Sequence, residues 1–214
     1  MPLFQGSNSP STIADNPAVG TVTWDFPANA ASNNSIYAEA DLGQNNISHY
    51  LQATNFGFSL PSGSEVQGIL VEILRQEDDI LDNIFDNRVR IIKGGTIGST
   101  DKSSTTEWGT NVSTYTSYGS STDLWGEIWN YTDINASNFG VALSAKAING
   151  LIFTSAEVDH IRITVYYVQG ATTTSTSTST TTSTSTTTTL TSTSTSTSTT
   201  TTTSTSSSTS TTTS

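Results

Sequence analysis

From Ala171 to Ser214 every position is serine or threonine except Ala171 and Leu190. The stretch therefore carries no charge and no apolar face, and it cannot offset the roughly 1–2 kcal/mol per residue that ordering a backbone costs. Whatever folds in this chain ends near residue 170. Dense hydroxyls are acceptors for O-linked sugar, and crowded glycans hold a chain extended in the manner of a mucin-like stalk. Thr172, Thr173, Thr174, Ser175, Thr176 and the following Ser/Thr residues to Ser214 are the acceptors this reading expects. At a rise of about 3.1 Å per residue the stalk would reach roughly 140 Å. The competing reading is an unmodified linker, but such linkers usually mix in Gly, Pro, Lys or Glu, all absent here.

The remainder is one domain's worth of chain, long enough to bury a core. A formal net charge of −11, with seven Lys and Arg in all, excludes nucleic acid as an expected partner, because phosphate contacts need clustered cations. Arg75, Arg88, Arg90 and Lys93 fall in or beside strand-like runs, where outward charges commonly protect against edge pairing. With no cysteine there is no disulfide, thiolate zinc site or cysteine nucleophile. The opening Met1-Pro2-Leu3-Phe4-Gln5 does not read as a secretory signal, and no apolar run approaches the ~20 residues that span a bilayer. No membrane insertion is expected; an extracellular location would be reached by another route, such as virion assembly and lysis.

Residues 1–19 hold Pro2, Pro10 and Pro17 among Ser, Asn and Gly, and read as an extended, irregular arm. From Gly20 onward short runs of Val, Ile, Thr, Tyr, Phe and Trp alternate with Gly, Asn, Ser and Pro clusters, the all-β signature. In the clearest strand Ile161, Ile163, Val165 and Tyr167 share one face, with Arg162, Thr164 and Tyr166 on the other. Within 66–75, Ile69, Val71 and Ile73 share a face against Leu70, Glu72 and Leu74. Further strands are expected at 21–26, 36–42, 50–58, 88–93, 124–129 and 141–146, with a long loop over 77–86 and no helix. Eight or so strands of this length make a two-sheet antiparallel β-sandwich of jelly-roll type. The domain boundaries are then 1–19 for the arm, 20–169 for the sandwich and 170–214 for the stalk.

Several segments carry a resemblance: Tyr50-Leu51-Gln52-Ala53-Thr54-Asn55-Phe56-Gly57-Phe58-Ser59-Leu60-Pro61-Ser62-Gly63, Gly68-Ile69-Leu70-Val71-Glu72-Ile73, Ile92-Lys93-Gly94-Gly95, Asp123-Leu124-Trp125-Gly126, Ile134-Asn135-Ala136-Ser137-Asn138-Phe139-Gly140-Val141 and Val158-Asp159-His160-Ile161-Arg162-Ile163-Thr164-Val165-Tyr166-Tyr167. With them, residues 20–168 resemble a β-sandwich module that recurs in predicted phage structural proteins and in bacterial and environmental surface proteins. The resemblance implies a fold and no catalytic activity. The Ser/Thr tail, by composition, is similar to those of subunits in glycan-coated extracellular filaments.

Groups able to move a proton are scarce. His49 and His160 have no spacing partner that suggests a triad or metal site. Glu77, Asp78, Asp79, Asp82 and Asp86 concentrate five carboxylates, for which calcium is the natural cation, yet they lack the spacing and central glycine of an EF-hand; a solvated acidic loop is the favoured reading. Trp125 and Trp129 share strand parity and could stack on sugar rings, although Trp in such a sandwich is more often core. Asn33, Asn46, Asn111, Asn130 and Asn135 each open an Asn-X-Ser/Thr triplet, the acceptor for N-linked glycan. No cofactor and no enzyme activity are expected. The sequence reads as a structural subunit of an extracellular filament, appendage or virion, a homopolymer whose arm adds a strand to a neighbour's sheet edge. A glycan-binding module on a linker is the alternative.

Overall fold

A computed structural model describes residues 2–78, 83–148 and 154–170. The Ser/Thr stretch and Asp79 and Asp82 lie outside the described residues. The strands are β1 Leu3–Asn8, β2 Thr12–Asn16, β3 Ala38–Leu42, β4 Tyr50–Thr54, β5 Ser64–Glu77, β6 Asn83–Lys93, β7 Thr96–Ile97, β8 Thr116–Gly119, β9 Gly140–Ile148 and β10 Thr154–Gln169. One short helix, α1 Tyr131–Asn135, precedes β9.

The antiparallel pairs β3·β10, β4·β9, β5·β8 and β6·β7 trace a long hairpin folded back on itself. Rolling that hairpin brings β10 beside β5 and β9 beside β6, giving sheets ordered β3-β10-β5-β8 and β4-β9-β6-β7. This is the strand order of a jelly roll, and it leaves β5, β6, β9 and β10 inside their sheets. Cross-strand partners on the inner face are apolar: Ile73 faces Ile161, Val71 faces Ile163 and Ile69 faces Val165. All six are fully buried, and they meet Leu51, Val89, Ile91, Val141 and Leu143 of the other sheet in one core. Each such side chain contributes about 1.5–3 kcal/mol of burial. Gly140 permits the closest approach of β9 to β4, where a Cβ would collide with the Ala53 carbonyl oxygen.

The expected arm over residues 1–19 is the largest correction. β1 pairs with β10 on the same side as β3, from Leu3 opposite Tyr167 to Asn8 opposite Ile163, and β2 pairs with β4. The segment has no apolar face of its own to announce a strand, but β10 and β4 present unpaired edge groups that a ladder satisfies.

Other differences follow from local geometry. The expected strand at 50–58 stops at Thr54, because Asn55 and Gly57 turn into the left-handed region at φ 58° and 66°. Neither 21–26 nor 124–129 is a strand; Trp125 and Gly126 take φ 57° and 73°, and the segment forms turns whose tryptophans drop into the core. The helix missed in the sequence is started by a capping box between Asn130 and Asp133. The loop expected over 77–86 is shorter, since Glu77 closes β5 and Asn83 to Asp86 belong to β6.

Candidate functional site

Asp86, expected in a solvated acidic loop, is on β6 with its side chain fully buried against Arg75 at 3.2 Å. It accepts hydrogen bonds from the Trp108 indole (2.9 Å), the Tyr118 hydroxyl (2.9 Å) and the Ser104 backbone N–H (2.8 Å). Arg75 also donates to the Tyr118 oxygen at 2.8 Å and lies over the Trp108 ring, so it is a core residue and not the outward edge charge expected. Burial, reinforced by the Asp86 charge, pushes the Tyr118 phenol far above its ordinary range. A buried ion pair survives only with its remaining bonds satisfied, as these are.

The other described members of the acidic run, Glu77 and Asp78, are also hydrogen-bonded within the fold. A Glu77 carboxylate oxygen accepts the Ile84 N–H at 3.0 Å, while Asp78 accepts from Thr154 Oγ1 (3.0 Å) and the Ser155 N–H (2.8 Å). Among the described residues no three His, Asp or Glu converge as metal ligands. Across the outer face of the first sheet, Glu39 of β3 and Glu157 of β10 sit directly opposite one another, with Asp25 bridged to Glu39 on one side and Gln76 of β5 opposite Glu157 on the other. Burial raises the Glu157 carboxyl above its ordinary range, and Asp78 and Glu39 add to it against a bond from Gln76.

All four tryptophans are core. Trp125 is 1% exposed and donates to the Ile69 carbonyl, and Trp129 is 7% exposed and donates to the Leu124 carbonyl. Trp129 meets Phe139 edge-on at 5.4 Å, within a cluster that includes Phe56 and Phe58. Neither Trp125 nor Trp129 presents a face on which a sugar could stack, which corrects the sugar-binding expectation for this pair.

Both histidines hold the N-terminal segment. His49 Nδ1 pairs with Asp15 Oδ2 at 2.8 Å, and the other Asp15 oxygen accepts the Trp24 N–H at 2.9 Å, which fixes β2 to the sandwich. His160 is on the outer face, as its strand parity predicts, but is covered: Ser9 Oγ lies 2.8 Å from Nε2 and the Tyr115 hydroxyl 2.7 Å from Nδ1. Burial holds this imidazole below its ordinary pKa and Arg162 adds to the effect, with Asp159 opposing. Arg162 stacks 3.7 Å from the Tyr115 ring centroid and forks onto Glu72 at 2.9 and 3.0 Å. Further clasps are Asn8 to the Phe56 carbonyl, Ser11 to the Asn55 carbonyl, and the Ser59 N–H to Gln5. Sequence reasoning missed Ser9, Asp15 and Tyr115 because the residues they join are up to 151 positions apart, beyond any spacing rule.

Despite these clasps the segment adds little to the core. No residue before Trp24 belongs to the buried hydrophobic cluster, Ile13 is only partly buried against it, and Leu3 and Phe4 are 46% and 65% exposed. The geometry defines a jelly roll with two strands clipped onto its edges, one per sheet. The chain matches no family model, no curated protein and no solved structure. Among the described residues no helix is long and apolar enough to cross a membrane.

Proposed function

We propose that this protein is a structural subunit of an extracellular filament, appendage or virion surface. Copies are joined by exchange of the β1–β2 segment, and the Ser/Thr stretch forms an O-glycosylated stalk. One observation carries this reading: residues 3–16 fill an edge position in each sheet, yet none of them is a buried member of the hydrophobic core and only Ile13 packs against it, partly buried. The same ladder and clasps form whichever copy supplies the segment, so exchange leaves the contacts unchanged. Closure on the segment's own domain competes with an effective concentration of order mM for a short linker. Exchange therefore prevails where subunits are crowded, or where assembly begins before the segment closes. Because donor and acceptor surfaces differ, each exchanged contact is head to tail and extends as an open chain when the rotation between copies does not close. No residue performs chemistry in this reading.

The chain has no cysteine, which makes a disulfide trap clean. Phe4 and Tyr166 face each other across the β1·β10 ladder. The double variant Phe4→Cys, Tyr166→Cys is to be oxidised after assembly at high concentration and run on a denaturing gel without reductant. Exchange predicts a ladder of linked chains; crosslinks confined to single chains within intact polymers refute it.

A further inference from the structure

We infer that Asn33 and Asn111, alone among the five Asn-X-Ser/Thr triplets, are competent N-glycosylation sites of the folded domain, taking an oligosaccharide at the carboxamide nitrogen. The inference is independent of strand exchange and of the Ser/Thr stretch. In the transfer, Nδ2 bonds to the anomeric carbon of a lipid-pyrophosphate-linked oligosaccharide, the lipid pyrophosphate leaves and the amide loses one proton. The transferring enzyme must reach both the carboxamide and the hydroxyl two residues on, so both must be exposed and not taken up by bonds within the fold.

Asn33 and Ser35 meet that requirement. Both are exposed on the loop ahead of β3, and the one bond of the Asn33 carboxamide is a long 3.4 Å contact to the Tyr115 hydroxyl. The loop is held from beneath by backbone, through the N–H groups of Asn34 and Ser35 on Asp159 Oδ1, which leaves the acceptor atoms outward. Asn111 and Ser113 are likewise exposed, on the loop ahead of β8, with Asn111 at φ 52° and the intervening Val112 N–H anchored to Gln76. Both triplets thus share one construction: the backbone is tethered to the sandwich and the side chains face solvent.

The other three are occupied by the fold. The hydroxyl read with Asn46 belongs to Ser48, which is fully buried, donates to the His49 carbonyl and accepts the Ala145 N–H. Asn135 is locked at both ends of its amide, donating to the Leu60 carbonyl (2.9 Å) and accepting the Leu60 N–H (2.7 Å). Asn130 and Thr132 are exposed, but Asn130 is the N-cap of α1, with its N–H on Asp133 Oδ2, and Tyr131 and Thr132 form the helix's first turn, so that triplet is coiled where the enzyme needs it extended.

The test is secretion of the full chain from an N-glycosylating host, followed by glycopeptide mapping of the folded product. Sugar is expected on Asn33 and Asn111, each lost separately in Ser35→Ala and Ser113→Ala with secreted yield unchanged. A second measurement treats purified folded chain with an oligosaccharyltransferase and its lipid-linked donor, and it gives the same two sites. Bare Asn33 and Asn111 in either experiment, or sugar on Asn46, Asn130 or Asn135 of folded chain, overturns the inference.

Discussion

The β5·β10 pair and the β1–β2 segment are both antiparallel strands of one sandwich, yet they are retained by different physics. β5 and β10 interlock Ile69, Val71, Ile73, Ile161, Ile163 and Val165 with full burial, and Arg75 anchors the Asp86 network from the same strand. β1 and β2 are retained by ladder bonds and polar clasps at the surface, with Phe4 and Leu3 left largely exposed. Apolar burial and a desolvated ion pair make the first region inseparable from folding. A net contribution of about 0.5–1.5 kcal/mol per hydrogen bond, against the cost of ordering the backbone, makes the second separable from it.

The comparison can be broken most forcefully at Asp86. Asp86→Ala leaves Arg75 charged and unpaired in the core, and the expected loss is about 3–5 kcal/mol in urea unfolding, enough to unfold a marginal domain. A loss under about 1 kcal/mol would mean that water reaches the pair. Removal of residues 2–16 is expected to cost less and to leave a cooperative thermal transition while abolishing polymers. Hydrogen exchange sharpens the same contrast in the intact chain: amides of β1 and β2 should exchange through local opening, well ahead of those of β5 and β10. Uniform protection across all four strands would refute the distinction.

His160 gives a smaller, pH-dependent effect at the clasp. Its folded-state pKa is lowered, so the folded chain binds fewer protons than the unfolded one as pH falls. The clasp is at full strength above the unfolded value near 6.5, and stability is lost as pH drops through that value toward the folded one. His160→Gln, which can still bond Ser9 and Tyr115 but does not titrate, should flatten thermal stability over that window. An unchanged slope would show that other groups set it. Smallest is the carboxylate row: Glu157→Gln removes a like charge opposite Glu39 and should stabilise at neutral pH by about 0.5 kcal/mol. A raised acid pKa destabilises the ionised form, so the gain should vanish as pH falls through the carboxylate range. A variant less stable than the parent at neutral pH would show that the bond from Gln76 outweighs the repulsion from Glu39.

Periodicity made the inner strands legible. In 69–73 and 161–165 alternate side chains report their faces, and the structure keeps those faces; Val66 breaks the alternation and joins the core because the register shifts between Tyr166 and Tyr167. It misled at 124–129, where Trp125 and Trp129 are spaced as on a strand, but the chain turns at positive φ at Trp125 and Gly126 and both indoles enter the core from outside any strand. It was silent on β1 and β2, which have no apolar face to alternate.

By itself, the sequence determined that the fold is all-β and which faces of β5 and β10 are buried. Those properties follow from composition and from a two-residue period, both local. Only the tertiary structure decided that Asp86 would be an anchor of the core, that both histidines would clasp the N-terminal segment, and that the segment would occupy two edges. The reason is that charge burial and edge pairing depend on partners brought together from distant parts of the chain, such as Ser9 with His160 and Asp86 with Tyr118.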